Sequence, residues 1–181
     1  TILITSFACV DQYEIDSHSD ASYDSYANLG FEDGLEHWHG QANTFSSISI
    51  DSDAYEGVNS LKMSIRVDSS LLTESTDLSV AEISKSLDVS QGDTISINYQ
   101  LNSNYIGIAD NIDLFNTSIF HDKDGFVIRK AVDTLIQSST DWSVVDVRYS
   151  VPQNAVKLIF GVRMQGLNEY AYVLVDDFSI S

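Results

Sequence analysis

Carboxylates near the two ends of this sequence are placed to hold a cation between them. The terminal run Val173-Leu174-Val175-Asp176-Asp177-Phe178-Ser179-Ile180 alternates like a strand, which puts Leu174, Asp176, Phe178 and Ile180 on one face. If Phe178 and Ile180 face a core, so does a carboxylate. An ionised group buried without a partner costs several kcal/mol. The chain has 9 Lys and Arg to set against 27 Asp and Glu, so a bound cation is the readier partner. Glu32, in Asn28-Leu-Gly-Phe-Glu-Asp-Gly-Leu-Glu-His-Trp38, and the acidic loop Asp51-Ser-Asp53-Ala-Tyr55-Glu56-Gly57 supply the co-ligands. The alternative is that Asp176 and Asp177 stand exposed at a strand end.

Catalytic constellations are missing from the pattern. Glycosidases built on β-sandwiches face two carboxylates across a sheet. Here Glu82 is the one glutamate in a strand interior, so no such pair forms. The nucleophile elbow, the phosphate-binding glycine loop and the His-Glu-x-x-His helix are absent too. His37 and His39 flank Trp38 on one strand face without a third clear ligand. Asp122-Lys123-Asp124-Gly125 lacks the ligand spacing of a calcium loop and reads as a hairpin turn. Asn116-Thr117-Ser118 fits a glycosylation sequon inside an expected strand.

The elements that must position these residues are strands. Residues 60–67 alternate, with Leu61, Met63, Ile65 and Val67 inward and Lys62, Ser64 and Arg66 outward. Further strands are expected at 47–50, 81–87, 93–101 and 112–121, then at 126–133, 142–151, 155–165 and 170–180. In these, Ile95, Ile97, Tyr99 and Leu101 share a face, as do Val145, Val147, Tyr149 and Val151, and Val156, Leu158, Phe160, Val162 and Met164. No stretch keeps a 3.6-residue period over helix length, so the class is all-β, two packed antiparallel sheets. The expected core is Phe31, Trp38, Leu61, Met63, Ile65, Ile95, Ile97, Trp142, Val147, Leu158, Phe160 and Phe178.

Length and charge set the outer limits. At 181 residues the chain suits one domain plus an arm. A formal charge of −18 makes nucleic acid and anionic membranes poor partners, while divalent cations and neutral sugars stay open. No window reaches the roughly 18 uninterrupted apolar residues of a spanning helix. Residues 11–27 are rich in Asp, Ser and Tyr and lack Lys and Arg, as a solvated linker does, which puts a boundary between 27 and 28. Before it, residues 1–10 are apolar and β-prone, with three readings: a lipoprotein signal end that would anchor lipid at Cys9, a strand that docks on a neighbouring copy, or a first strand of the same domain.

Several stretches then line up in one order. They are Asn28-Leu-Gly-Phe-Glu-Asp-Gly-Leu with Trp38, Tyr55-Glu-Gly-Val-Asn-Ser-Leu-Lys-Met-Ser, Gln91-Gly-Asp-Thr-Ile-Ser-Ile-Asn-Tyr, Asp141-Trp142 with Val145 to Pro152, and Val175-Asp-Asp-Phe-Ser-Ile. From residue 28 to the end the chain resembles the carbohydrate-binding modules of the family four/nine type, in the galactose-binding-like β-jelly-roll superfamily. The resemblance implies a β-jelly-roll sandwich with an N-terminal extended arm. It also implies a structural calcium near the paired chain ends and a ligand site on a concave sheet face or its rim loops. Glu32 matches the family's Gly-Phe-Glu glutamate, Asp176 the first aspartate of the last strand, and Tyr55, Glu56 and Gly57 the loop that supplies a carbonyl. Calcium takes six to eight oxygens, so the expected set is Glu32 and Asp176 with oxygen from Asp53, Glu56 and Gly57.

The resemblance makes Trp38 and Trp142 core residues, and Tyr99 and Tyr149 have inward parity. A sugar would then meet Asn98 and Gln100, Asp146 and Arg148, and Arg163 and Gln165, all opposite the core, with Tyr105 or Tyr170 stacking from loops. The alternative is a solvated face on which Arg148 and Arg163 pair with Asp146. The expected function is a non-catalytic, calcium-stabilised, glycan-binding module of a secreted or cell-surface protein. A structural subunit of an extracellular filament or surface assembly, self-associating through residues 1–10, is the alternative.

Overall fold

The computed structural model describes residues 26–65, 79–103, 112–135, 141–166 and 170–181. Expectations that fall on residues 1–25, Cys9 among them, on Arg66, Val67 and the loop after them, and on Tyr105 lie outside the described residues.

The described chain is all-β. Ten strands run β1 (His39–Ala42), β2 (Ser46–Asp51), β3 (Ser60–Ile65), β4 (Ser79–Asp88), β5 (Thr94–Asn102), β6 (Ile112–His121), β7 (Val127–Thr134), β8 (Ser143–Ser150), β9 (Lys157–Gly166) and β10 (Ala171–Ile180). They form two antiparallel five-stranded sheets, ordered β1-β4-β9-β6-β7 and β2-β3-β10-β5-β8. Alternation drives this arrangement, because each strand buries one set of apolar side chains between the sheets. Leu61, Met63, Ile65, Ala81, Ile83, Ile97, Leu101, Leu158, Phe160 and Val162 are buried there. Ile95 and Val147 are partly buried against this cluster.

Two expectations about packing are corrected. Trp142 is half-buried outside the core and packs edge-on against Tyr55, with ring centroids 6.0 Å apart, because it precedes β8 rather than entering it. Val156 is 43% exposed, since the turn after Pro152 runs through it and β9 starts one residue later.

The start of the body hooks onto its end. Asn28 sits at φ 52°, a conformation Asn tolerates, and braces the turn behind it. Its Nδ2 donates to Gly34 O (3.0 Å) and Glu36 O (2.9 Å), and its Oδ1 accepts from Asp33 N. Phe31 and Trp38 then meet Phe178 at 5.9 and 4.7 Å, and Phe178 N donates to Leu29 O. Lys85, buried on the core side of β4, locks the hook: its Nζ donates to Ala27 O and His37 O and lies 4.8 Å from the Trp38 ring. His37 is in this turn at φ 67° while His39 opens β1, so the two histidines do not share the strand face expected of them.

Two buried phenols set the alkaline limit of the fold. Tyr99 donates to Asn116 Oδ1 at 2.6 Å, and burial, reinforced by Tyr149, pushes its phenol far above the ordinary range. Burial and then the charge of Asp133 push Tyr149 up to about 12. Both groups keep their protons in the folded state after the unfolded chain loses them near pH ~10. Their stabilising contribution is therefore whole below about pH 10; that of Tyr149 is lost as pH rises through about 12 and that of Tyr99 at higher pH still. In an ultraviolet titration, Tyr99 and Tyr149 should ionise only with unfolding. Ionisation of all tyrosines in one step within a folded chain would contradict this.

Candidate functional site

The last strand does not alternate without interruption. Val173, Val175 and Phe178 belong to the core, and the register against β5 shifts between Asp176 and Ser179, with Asp177 at φ 48°. This β-bulge reverses the parity. Asp176 pairs opposite Gln100 and so points to the outer face of its sheet, away from Phe178, contrary to the expected shared face. It is nonetheless fully buried, because the loop before β3 folds over it.

That loop meets both end carboxylates with amides. Asp176 Oδ2 accepts from Tyr55 N (2.9 Å) and Glu56 N (3.2 Å), and its Oδ1 from Asp177 N (2.7 Å). Glu32 Oε1 accepts from Val58 N (2.9 Å) and Asn59 N (3.2 Å). Burial raises the Asp176 carboxyl above its ordinary range, against the lowering effect of the three amides. The structure thus brings Glu32, Glu56, Gly57 and Asp176 to one place. Glu56 contributes an N–H there, and the Asp53 carbonyl is occupied by Ser60 Oγ at 2.7 Å.

As a test for a cation, the donor chemistry fits calcium in kind, with two carboxylates and a loop of peptide groups. Among the described residues no three His, Cys, Asp or Glu side chains gather to hold a metal. An ion here would therefore draw further oxygens from loop carbonyls and water.

Gly57 keeps this closure intact. At φ +73° it has left-handed backbone, and a Cβ on it would stand 2.0 Å from Glu32 Oε1. Gly57→Ala should evict Glu32 from the Val58 and Asn59 amides and strain the backbone, lowering stability by about 2 kcal/mol in denaturant unfolding. An unchanged midpoint would contradict the arrangement.

The expected sugar-binding set is divided between two faces. Asn98 and Gln100 on β5 and Asp146 and Arg148 on β8 lie on the outer face of one sheet, where Arg148 and Asp146 pair at 3.4 Å. Arg163 and Gln165 on β9 lie on the outer face of the other. The six therefore do not form one cluster, and Arg163 cannot pair with Asp146. Tyr170, 61% exposed, sits beside Tyr172 before and within β10, in the sheet of β5 and β8.

Around Arg163 and Gln165 the sheet β1-β4-β9-β6-β7 has a hollow of about 220 Å³, lined also by Glu82, Phe115, Thr117, Ile119, Lys130 and Val132. It crosses four strands in rows fixed by the register. One row runs Glu82, Arg163, Phe115, Thr134, and the next Ser84, Gly161, Thr117, Val132. Gly161 makes the floor possible. Its missing side chain lets Thr117 of β6 reach over β9 to donate to Glu82 Oε1 at 3.1 Å. Phe115, Thr117 and Lys130 were not expected as site residues. The signal that could have found them is the glycine inside a strand, which marks a close approach.

No protein-family model and no curated protein matches the chain. Solved structures do. A family 22 carbohydrate-binding module of Clostridium thermocellum Xyn10B superposes with a TM-score of 0.57 at 15% identity, covering 90% of this chain and 96% of that one. TmCBM61, solved in complex with β-1,4-galactotriose, gives 0.55 at 14% identity, covering 86% and 95%. The enzymatically active domain of bacteriophage CBA120 tailspike protein 4 gives 0.67 at 10% identity, covering 87% of this chain, which spans only 21% of that one. These likenesses show a shared fold, the β-sandwich of carbohydrate-binding modules.

Proposed function

We propose that the protein is a non-catalytic carbohydrate-binding module whose ligand lies across the β4-β9-β6-β7 face. The observation that carries this is the mixed lining of one transverse groove. Phe115, Ile119 and Val132 offer apolar surface to the C–H face of a sugar ring, and Glu82, Thr117, Lys130, Arg163 and Gln165 offer hydrogen bonds to its hydroxyls. At about 220 Å³ the hollow is smaller than ordinary small-molecule pockets, which suits a polymer lying across it. Among the residues lining it Glu82 is the one carboxylate, whereas glycoside hydrolysis takes two. The fold shared with family 22 and 61 modules supports the reading, and the ordered motifs from residue 28 onward favour the family four/nine type within that class.

Calcium held by Glu32 and Asp176, with oxygens from the loop between Asp53 and Gly57, would tie the start of the body to its end. Its chemistry there would be structural. The reading places the protein outside the cell or at its surface. Affinity electrophoresis in gels containing soluble polysaccharides tests it. Retardation by at least one glycan, lost in Phe115→Ala with melting unchanged, is expected, and free migration through every gel would overturn it.

A second reading, a building block of an extracellular assembly, has its own support. Phe126, Val127 and Val132 are 71%, 58% and 51% exposed on or beside the edge strand β7. Such an edge suits residues 1–10 of another copy, on the tether of residues 11–27. In that case deleting residues 1–10 should abolish self-association in sedimentation. If instead Cys9 carries lipid, Cys9→Ser should release the protein from membranes.

A further inference from the structure

The groove is cationic in a chain that is short of cations. Lys130 and Arg163 line it against the single carboxylate of Glu82, whereas the whole sequence has 9 Lys and Arg for 27 Asp and Glu. On the opposite outer face Lys62 pairs with Asp51 at 3.0 Å, and Arg148 with Asp146 at 3.4 Å. Arg163 differs from both. Its Nε is buried and has no hydrogen-bond partner among the described residues, although Glu82 stands opposite it in the register. A buried N–H left unmade is costly, and a guanidinium edge is shaped to receive two oxygens of one planar anion. In the register Arg163 lies between Glu82 and Phe115, with Gln165 two residues along the same face. A sugar ring seated on Phe115 would thus present its substituent to the Arg163 guanidinium.

We propose that the groove selects an acidic glycan, with a uronic acid carboxylate received by Arg163 and Lys130 lying further along the same groove, level with Ile119. This rests on the glycan-binding reading and narrows it. The formal charge of −18 does not forbid it, because at physiological salt charges more than about 8 Å away are largely screened. Among the described residues, the acids on the same face are Glu82 within the groove, Asp113 at the Gln165 end and Asp88 opposite Lys157.

The experiment is calorimetric titration of the full chain with polygalacturonate, with alginate, with carboxyl-reduced polygalacturonate of the same linkage, with neutral xylan and with a sulfated galactan. At least one uronate polymer should bind tenfold or more tightly than the reduced and neutral polymers. Arg163→Gln, which shortens the side chain and removes the charge but keeps a hydrogen-bonding amide, should erase that preference while leaving the melting temperature in place. Equal or tighter binding of the neutral polymers would overturn the acidic-ligand proposal and leave the glycan reading standing. Tightest binding of the sulfated galactan would overturn the carboxylate assignment. Binding to none of the five would remove both.

Discussion

Chelating calcium should lower the melting temperature of the intact chain by about 5–10 °C. An ion bound only to the folded state stabilises it by about 2.7 kcal/mol when its free concentration is a hundredfold above its dissociation constant. In a domain of this size each kcal/mol moves the midpoint by roughly 2–4 °C. The proposed ligands explain why the effect should be this large. Glu32 belongs to the turn that carries Phe31 and Trp38 onto Phe178, and Asp176 to the strand that carries Phe178 itself. Both are held by one loop, through Tyr55, Glu56, Val58 and Asn59. An ion between them would close the body at the place where its two ends meet. Asp176→Asn should start from a lower midpoint and respond little to chelator. If the wild-type melting curve does not move on chelation, amides alone serve these carboxylates and the calcium proposal fails.

Gly161→Ala should both destabilise the fold and remove glycan binding. A Cβ at this position would stand 2.7 Å from Thr117 Oγ1, 3.2 Å from Glu82 Oε1 and 2.9 Å from the Ile83 carbonyl oxygen. The two side chains can turn aside, but the carbonyl is part of the β4–β9 ladder and cannot move without disturbing the sheet. Overpacking of this kind costs about 1–3 kcal/mol. Its second consequence is specific to the groove. Pushing Thr117 and Glu82 apart breaks their hydrogen bond and raises the floor between Arg163 and Val132. The variant should keep a β-sheet circular dichroism spectrum, melt several degrees lower and bind the wild-type glycan at least tenfold more weakly. Wild-type affinity in a variant that melts lower would place the ligand elsewhere.

Side-chain alternation was enough to read the class and most strands, because a half-buried strand writes its inner face directly into the sequence. Residues 112–121 are β6 residue for residue. It was not enough to assign a strand to a sheet. Asp146 and Arg148 look as outward in sequence as Arg163 and Gln165 do, yet β8 and β9 sit in opposite sheets, so their outer faces point in opposite directions. The bulge at Asp177 is a second case. Strict parity gives Asp176 the same face as Phe178, whereas one left-handed residue between them separates the two. The prediction of a buried carboxylate held while its surroundings differed, because the loop carrying Tyr55 and Glu56 covers it from outside. The four residues of β1 are too few for a periodic signal. Lys85, a cation with core parity, is explained only by the two carbonyls and the Trp38 ring that the hook brings to it.

The central claim is that the glycan lies on the β4-β9-β6-β7 face and not on the face of β5 and β8. Titration of one bound polysaccharide against the wild type, Arg163→Ala and Arg148→Ala is the direct test, since each change removes one outward arginine, one from either sheet. At least tenfold weaker binding is expected for Arg163→Ala and wild-type affinity for Arg148→Ala. Weakened binding in Arg148→Ala together with unchanged binding in Arg163→Ala would contradict it.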